Sequence, residues 1–222
     1  MLTEIEKSHI SLTHTANQYH TEAYQAVDAD SRSEHGQFFT PPSIAHIMAT
    51  MFKNLPSEIK LLDAGAGVGI LTAAFVDNLI IQENLPEKIS VTAYEQELKF
   101  RPYLRETLNK CRIVCESIGI SFSYELKTED FIDSASTMIR PRLFENQSQQ
   151  FNCAILNPPY KKIHSQSNYR RRLREAGIET GNLYTAFLAL TSKILDTNGQ
   201  LVAITPRSFC NGPYYKNISE VI

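Results

Sequence analysis

The 222-residue chain is short of several things, and each shortage narrows what it can be. No stretch approaches the ~20 consecutive apolar residues of a membrane span, and the opening MLTEIEKSHISLTH lacks the apolar core of a secretory signal. A cytoplasmic protein with no membrane partner is expected. The four cysteines, Cys111, Cys115, Cys153 and Cys210, form no C-x-x-C pair and have no histidine pair at zinc-ligand spacing beside them. Cys111 and Cys115, four apart on an expected helix, are the one pair able to share a metal, but reduced thiols packed in a core and no metal centre are the reading taken. Positive charge is not in surplus: 22 Lys and Arg against 24 Asp and Glu give a net charge of −2, unlike a free-standing nucleic-acid-binding domain. It is unevenly placed, however. Lys161, Lys162, Arg170, Arg171, Arg172 and Arg174 crowd one short stretch, and local fields matter more than totals.

With 42% hydrophobic residues the chain can bury one good core. Its patterning alternates. IKLLD (59–63), ISVTAYE (89–95), SFSYELK (121–127), FNCAILN (151–157) and QLVAITP (200–206) read as strands. Between them come a helix bearing Ile70, Leu71, Ala74, Phe75 and Leu79, an amphipathic helix over 101–118, a polar connection over 132–150, a long polar loop, and a helix over about 183–195. Upstream, residues 1 to about 30 show loosely helical spacing of Leu2, Ile5, Ile10 and Leu12. In TPPSIAHIMATMF, Thr40 is a candidate cap, and Ile44, Ile47, Met48, Met51 and Phe52 form an apolar face expected to pack on a sheet. Strands alternating with helices imply an α/β fold with a doubly wound, mostly parallel sheet. Ligands in such folds bind beyond the carboxyl ends of the strands.

DAGAGVG (63–69) stands directly after the first strand and before a helix. Gly65 and Gly67 let the backbone bend sharply and come close to a ligand that a Cβ would strike. A dinucleotide turn would read G-x-G-x-x-G; here Ile70 holds the last place and Gly69 comes one residue early, a register wrong for NAD. Asp63 leads the turn, and a carboxylate there repels a pyrophosphate but suits the ammonium and sulfonium of S-adenosyl-L-methionine. The expected cofactor contacts are Asp63, Ala64, Gly65 and Gly67, with Glu95 and Gln96 at the end of the next strand. Glu95, an acceptor only, would take both ribose hydroxyls; the plain alternative is a solvated acid at a strand end.

Asn157, Pro158, Pro159 and Tyr160 end an apolar strand, where two prolines stop pairing and stiffen the chain. Turn-making alone does not account for all four residue types. An aromatic amino group is a poor nucleophile because its lone pair is delocalised into the ring, and two acceptors holding its hydrogens would localise that pair. The Asn157 side-chain oxygen and the Pro158 carbonyl are candidates for the two acceptors, with Asn157 also touching the cofactor. Tyr160 offers a flat face for stacking a base, at about 1–3 kcal/mol, and for a passing sulfonium.

Taken together, GQFFTPPSIA (36–45), DAGAGVG, NPPY (157–160) and GNLYTAFLAL (181–190) resemble the adenine-N6 DNA methyltransferases of bacterial restriction-modification systems. The subgroup is the one that carries the phenylalanine and threonine motif ahead of the glycine turn. NPPY alone is shared with protein-glutamine and RNA guanine-N2 methyltransferases; NPPY preceded by GQFFTPP is more specific. The resemblance, which runs from about Gly36 to the end, implies methyl transfer from S-adenosyl-L-methionine to the N6 amino group of adenine in a specific DNA sequence, in a bacterial cytoplasm. It implies roles for Phe39, Thr40 and Pro41 over the methionine end of the cofactor, and for Asp130 and Phe131 at its adenine, although Asp130 is also a candidate helix cap. The implied partners are double-stranded DNA with a flipped adenine and a cognate restriction endonuclease or separate recognition domain. Residues 1–35 then read as an N-terminal helical extension and 36–222 as a catalytic domain.

There are departures. Family members continue into further strands, a second base-stacking aromatic and a target-recognition domain, none of which is present here; the sequence therefore reads as a fragment or one part of a split enzyme. Action on protein glutamine or RNA, or an inactive cofactor-binding fragment, are the alternatives. A base inside a duplex cannot reach Asn157, so it must be flipped out. KKIHSQSNYRRRLREAG (161–177), with Lys161, Lys162, Arg170, Arg171, Arg172 and Arg174, is the expected phosphate contact, against the plainer reading of a solvated Arg/Glu helix. Tyr184 and Phe187 share a helix with Leu183, Leu188 and Leu190, so core packing is their first reading, and Asn182 is a candidate cap.

Overall fold

Apolar residues packed too densely for a one-sided strand are buried on both faces, and the central strands show this directly. A computed structural model describes residues 11–25, 39–139, 151–164 and 166–206. In chain order the elements are α1 (Leu12–Gln25), α2 (Pro42–Thr50), β1 (Glu58–Ala64), α3 (Ile70–Leu79), β2 (Lys88–Tyr94), α4 (Arg101–Ser117), β3 (Ser121–Lys127), α5 (Phe131–Ile139), β4 (Phe151–Leu156), α6 (Asn168–Glu175), α7 (Leu183–Ile194) and β5 (Leu195–Ala203). The five strands form one sheet in the order β3-β2-β1-β4-β5, and every pair is parallel. The expected doubly wound sheet is what the chain forms.

Successive side chains of a strand point to opposite faces, and this alternation splits the core in two. Ile59, Leu61, Cys153 and Ile155 point to the side covered by α1, α2, α3 and α4, whereas Leu62, Ala64, Ala154 and Leu156 point to the side of α5, α6 and α7. Cys111, Cys115 and Cys153 are buried free thiols whose pKa values burial pushes up. Among the described residues no helix is long and apolar enough to cross a membrane.

The expected helix near the N-terminus occupies 12–25, and one carboxylate ties it down. Asp77 of α3 accepts the Leu12 N–H (3.0 Å), the Thr13 N–H (2.9 Å) and the Ser11 and Thr13 hydroxyls (2.6 and 2.8 Å), so two donors at the start of α1 are satisfied by a residue more than sixty positions away. Leu12 and Ala16 then join the core. Leu2, Ile5 and Ile10 lie outside the described residues.

Three local expectations are corrected. Thr40 does not cap α2: Pro41 holds the cap position without a side-chain bond, and Thr40 is buried and bonded elsewhere. Ala45, Met48, Ala49 and Phe52 carry α2 into the core, while Ile44, Ile47 and Met51 are exposed; the small Ala45 and Ala49 let the helix axis approach α3 closely along the other stripe. The stretch read as a polar connection after 132 begins with helix α5, whose Phe131, Ile132, Ala135, Met138 and Ile139 follow helical spacing.

Candidate active site

β1, β2 and β4 end at the same edge of the sheet, and the segments that leave them surround a cleft of about 490 Å3. Its floor is the glycine turn. Gly65, Gly67 and Gly69 have φ of 81°, 58° and 88°, a left-handed region costly to any residue with a Cβ. The Gly65 and Ala66 N–H groups donate to the Tyr94 carbonyl (3.0 and 2.9 Å), which stitches the turn to the end of β2. A Cβ on Gly67 would meet nothing within 4 Å, so open space lies above the turn. Gly69 serves packing instead: a Cβ there would fall 2.9 Å from Leu104 Cδ1 and 3.1 Å from Thr107 Cγ2. The glycine that breaks the dinucleotide register thus seats α3 against α4.

Glu95 lines the cleft and is only 5% exposed. Its Oε2 accepts the Gly67 N–H and its Oε1 the Glu97 N–H, both at 2.7 Å, so the carboxylate also braces the turn. Burial pushes its pKa up to about 7, against the pull of those two hydrogen bonds. It is not a solvated acid. Asp63 and Ala64 do not reach the lining, contrary to expectation. Asp63 is completely buried beneath the turn, where Oδ2 accepts the Thr72 hydroxyl (2.7 Å) and Oδ1 has no hydrogen-bond partner among the described residues. Burial raises its pKa to about 7, so Asp63 carries much less negative charge than the charge argument assumed.

On the far side of β2, Asp130 performs the cap that sequence offered as its alternative role: Oδ1 accepts the Asp133 N–H (3.0 Å) in the first turn of α5. Its other oxygen faces the cleft and accepts Gln96 Nε2 (2.8 Å) and the Tyr169 hydroxyl (2.6 Å). Phe131 also lines the cleft and packs edge-on to Tyr94, with ring centroids 5.2 Å apart. Phe187, expected only as core, sits 4.9 Å from Phe131 and contributes to the same wall.

Asn157 follows β4 and shares the cleft with Gly65 and Gly67. Its Nδ2 donates to the buried Thr40 hydroxyl (2.9 Å), leaving Oδ1 on the side of the Tyr160 hydroxyl, a long contact of 3.4 Å. The Tyr160 hydroxyl also reaches the Ile204 carbonyl (3.3 Å), and its ring lies 6.1 Å from that of Tyr184. Phe39, Thr40 and Pro159 line the cleft; Pro41, exposed at the start of α2, and Pro158 and Tyr160 do not.

The basic stretch closes on itself. Lys162 bridges to Asn182, the Ile163 N–H donates to the Gly181 carbonyl (2.7 Å) and the Leu183 N–H to that of Lys161 (2.8 Å), so both ends of the excursion meet. Lys161 and Lys162 are exposed at the rim. Most of the arginines are engaged within the protein: Arg172 pairs with Asp133 (2.7 Å), Arg174 with Glu179 (2.9 Å), and Arg170 with Glu179 (3.8 Å) and the Thr180 carbonyl. Among the described residues Arg171 alone of the four makes no ion pair. Three of the four arginines thus rest against two carboxylates, Asp133 holding Arg172 and Glu179 shared by Arg170 and Arg174, and Arg174 keeps more than half of its side chain exposed.

Sequence reading missed several cleft residues, Tyr169 and His20 among them. Tyr169 is the apolar-sided member of a polar helix; burial and the neighbouring Asp130 push its hydroxyl well above the ordinary tyrosine pKa, so it stays protonated and donates to Asp130. His20 comes from α1 and stacks on Phe39, with ring centroids 3.6 Å apart and planes 20° from parallel. Its place four residues beyond Ala16 on the buried stripe of α1 is the signal that was there to be read.

Residues 58–222 match the Eco57I restriction-modification methylase family. The chain belongs to that family. Two curated type II methyltransferases align with most of it. M.PstI of Providencia stuartii is 41% identical over 211 residues, which are 95% of this chain and 41% of that protein. M.BsuBI of Bacillus subtilis is 45% identical over 193 residues, 86% of this chain and 37% of its own. This family member therefore spans about two fifths of the length of those relatives. Among solved structures, a putative class I S-adenosylmethionine-dependent methyltransferase from Listeria monocytogenes superposes with a TM-score of 0.64 at 10% identity, over 98% of this chain and 60% of that one. A modification subunit of a putative type I restriction enzyme from Vibrio vulnificus gives 0.64 at 15% identity, over 99% and 44%. The family domain thus has the Rossmann-like fold of such methyltransferases.

Proposed function

We propose that this chain is the catalytic part of a restriction-modification methyltransferase that moves a methyl group from S-adenosyl-L-methionine to the N6 amino group of adenine in DNA. The observation that carries the reading is the meeting of the Asn157 amide, set by Thr40, with the open glycine turn in one cleft. The cleft is of the size that small-molecule cofactors fill. Gly65, Gly67, Glu95, Gln96, Phe131 and Phe39 would hold the donor. Each Glu95 oxygen takes only one backbone N–H in the structure, leaving acceptor capacity for hydroxyls. When bound, the donor supplies an electrophilic methyl on a cationic sulfur.

The remaining work falls to the chain. Asn157 Oδ1 and the Pro158 carbonyl accept hydrogen bonds from the two N–H groups of the target amine, which draws its lone pair out of the ring and towards the methyl; the nitrogen, acidic once methylated, then sheds one of those protons to solvent. Thr40 keeps the amide from rotating, and Tyr160 with its neighbour Tyr184 borders the space for the flipped base. Lys161 and Lys162 at the rim and the exposed Arg171 on α6 would meet phosphates, and a separate recognition element would choose the sequence. A cognate endonuclease fits the names of the type II relatives. Transfer of tritiated methyl to unmethylated duplex DNA tests the proposal. Asn157→Ala should abolish transfer and leave donor affinity within about twofold; label on a protein or RNA acceptor instead of adenine would overturn the substrate.

A further inference from the structure

The N-terminal helix contributes to the cleft in a way that neither the family motifs nor the proposed catalytic set accounts for. Resting on the methyl-donor reading above, we propose that His20 forms a wall of the subsite for the methionine portion of the donor. The placement comes from the sheet order. β4, which delivers Asn157, lies on one side of β1, and β2 and β3, which deliver Glu95, Gln96 and Asp130, lie on the other. A donor that spans the cleft with its reactive sulfur towards Asn157 therefore has its adenosine towards Glu95 and Asp130. Phe39 adjoins Thr40, and Thr40 holds Asn157, so the ring stacked on Phe39 belongs to the reactive end.

The imidazole is not there by chance of a loose terminus. Asp77 grips the start of α1 with four hydrogen bonds, and Leu12, Ala16 and Ala23 bury its inner stripe. The half-buried ring has its pKa lowered to about 4 by desolvation, so near neutral pH it presents an uncharged aromatic surface. A cationic sulfur and its methionine chain can lie against such a surface without repulsion, whereas an imidazolium would oppose it.

Calorimetric titration of the chain with S-adenosylmethionine, S-adenosylhomocysteine and adenosine, which lacks the methionine portion, tests this. His20→Ala should weaken the first two ligands by roughly 3- to 10-fold and adenosine by less than about twofold, and His20→Phe should restore all three to near the unaltered values. Thermal unfolding identifies a variant that does not fold, in which case His20→Gln, also without the stacking ring, replaces His20→Ala. Equal weakening of all three ligands would mark His20 as merely structural and overturn the inference, as would unchanged affinities. If the unaltered protein binds none of the three, the donor reading falls and takes this inference with it; if it binds normally and the variants do too, only the inference falls.

Discussion

Two walls of one cleft are built by opposite means. The glycine turn and its supports are backbone: left-handed glycines, amides on the Tyr94 carbonyl, amides on the Glu95 carboxylate. The excursion from Lys161 to Leu183 is held at its ends by backbone bonds, and its helix α6 is fastened to the body by side chains, with Leu173 buried in the core and Arg172 on Asp133 and Tyr169 on Asp130 nearer the surface. The first wall is dry and fixes geometry. The second carries partly exposed ion pairs, which are screened and worth little. The difference separates a wall whose shape the backbone sets from one whose surface contacts can rearrange.

Mutations sharpen this contrast in order of expected effect. Gly69→Ala should cost about 2–4 kcal/mol in urea unfolding, since the residue would be held at φ 88° with its methyl 2.9 Å from Leu104. Asp63 contributes a pH dependence. Its pKa is raised in the folded protein, so the native state binds the extra proton between about 4 and 7; the stability it gives is complete at the acid end and lost as pH rises through about 7. Asp63→Asn, which keeps an oxygen for Thr72, should flatten that fall, on the order of 2 kcal/mol, in denaturation curves at pH 5 and 8. An unchanged profile would mean that Asp63 is not held protonated. Asp77→Ala removes the anchor of α1 and should cost about 1–2 kcal/mol, with hydrogen exchange rising first at Leu12 and Thr13. Arg172→Ala, a pair with both side chains more than a third exposed, should cost under about 1 kcal/mol and leave the glycine turn protected from exchange. If it proved as damaging as Gly69→Ala, the contrast between the walls would be false.

How far the sequence could be read follows the same division. The glycine turn and NPPY were legible because glycine and proline restrict the backbone wherever they stand, and the buried strands because two-sided burial leaves unbroken apolar runs. The bonds of Asp130 to Tyr169, Asp77 to Thr13 and Asn157 to Thr40 span 39, 64 and 117 residues, and no local pattern announces such partners. The pairing of Arg172 with Asp133 was hidden for the same reason: Asp133 sits in a different element, and only the packing of α5 against α6 brings it near. The role of Asp63 was misjudged because the sequence places it before the turn but does not say that its side chain points under it. α5 was overlooked although its spacing was helical, since its serines and threonine resembled a connection.

The meeting of Lys161 with Leu183 and of Lys162 with Asn182 has a consequence for how such proteins diversify. A detour whose entrance and exit are sewn together can be lengthened, shortened or rewritten without tugging on the corner that precedes it, because loop length adds little to the closure cost once the ends are joined. Substitutions along the detour should therefore leave the turn at Asn157 where it is.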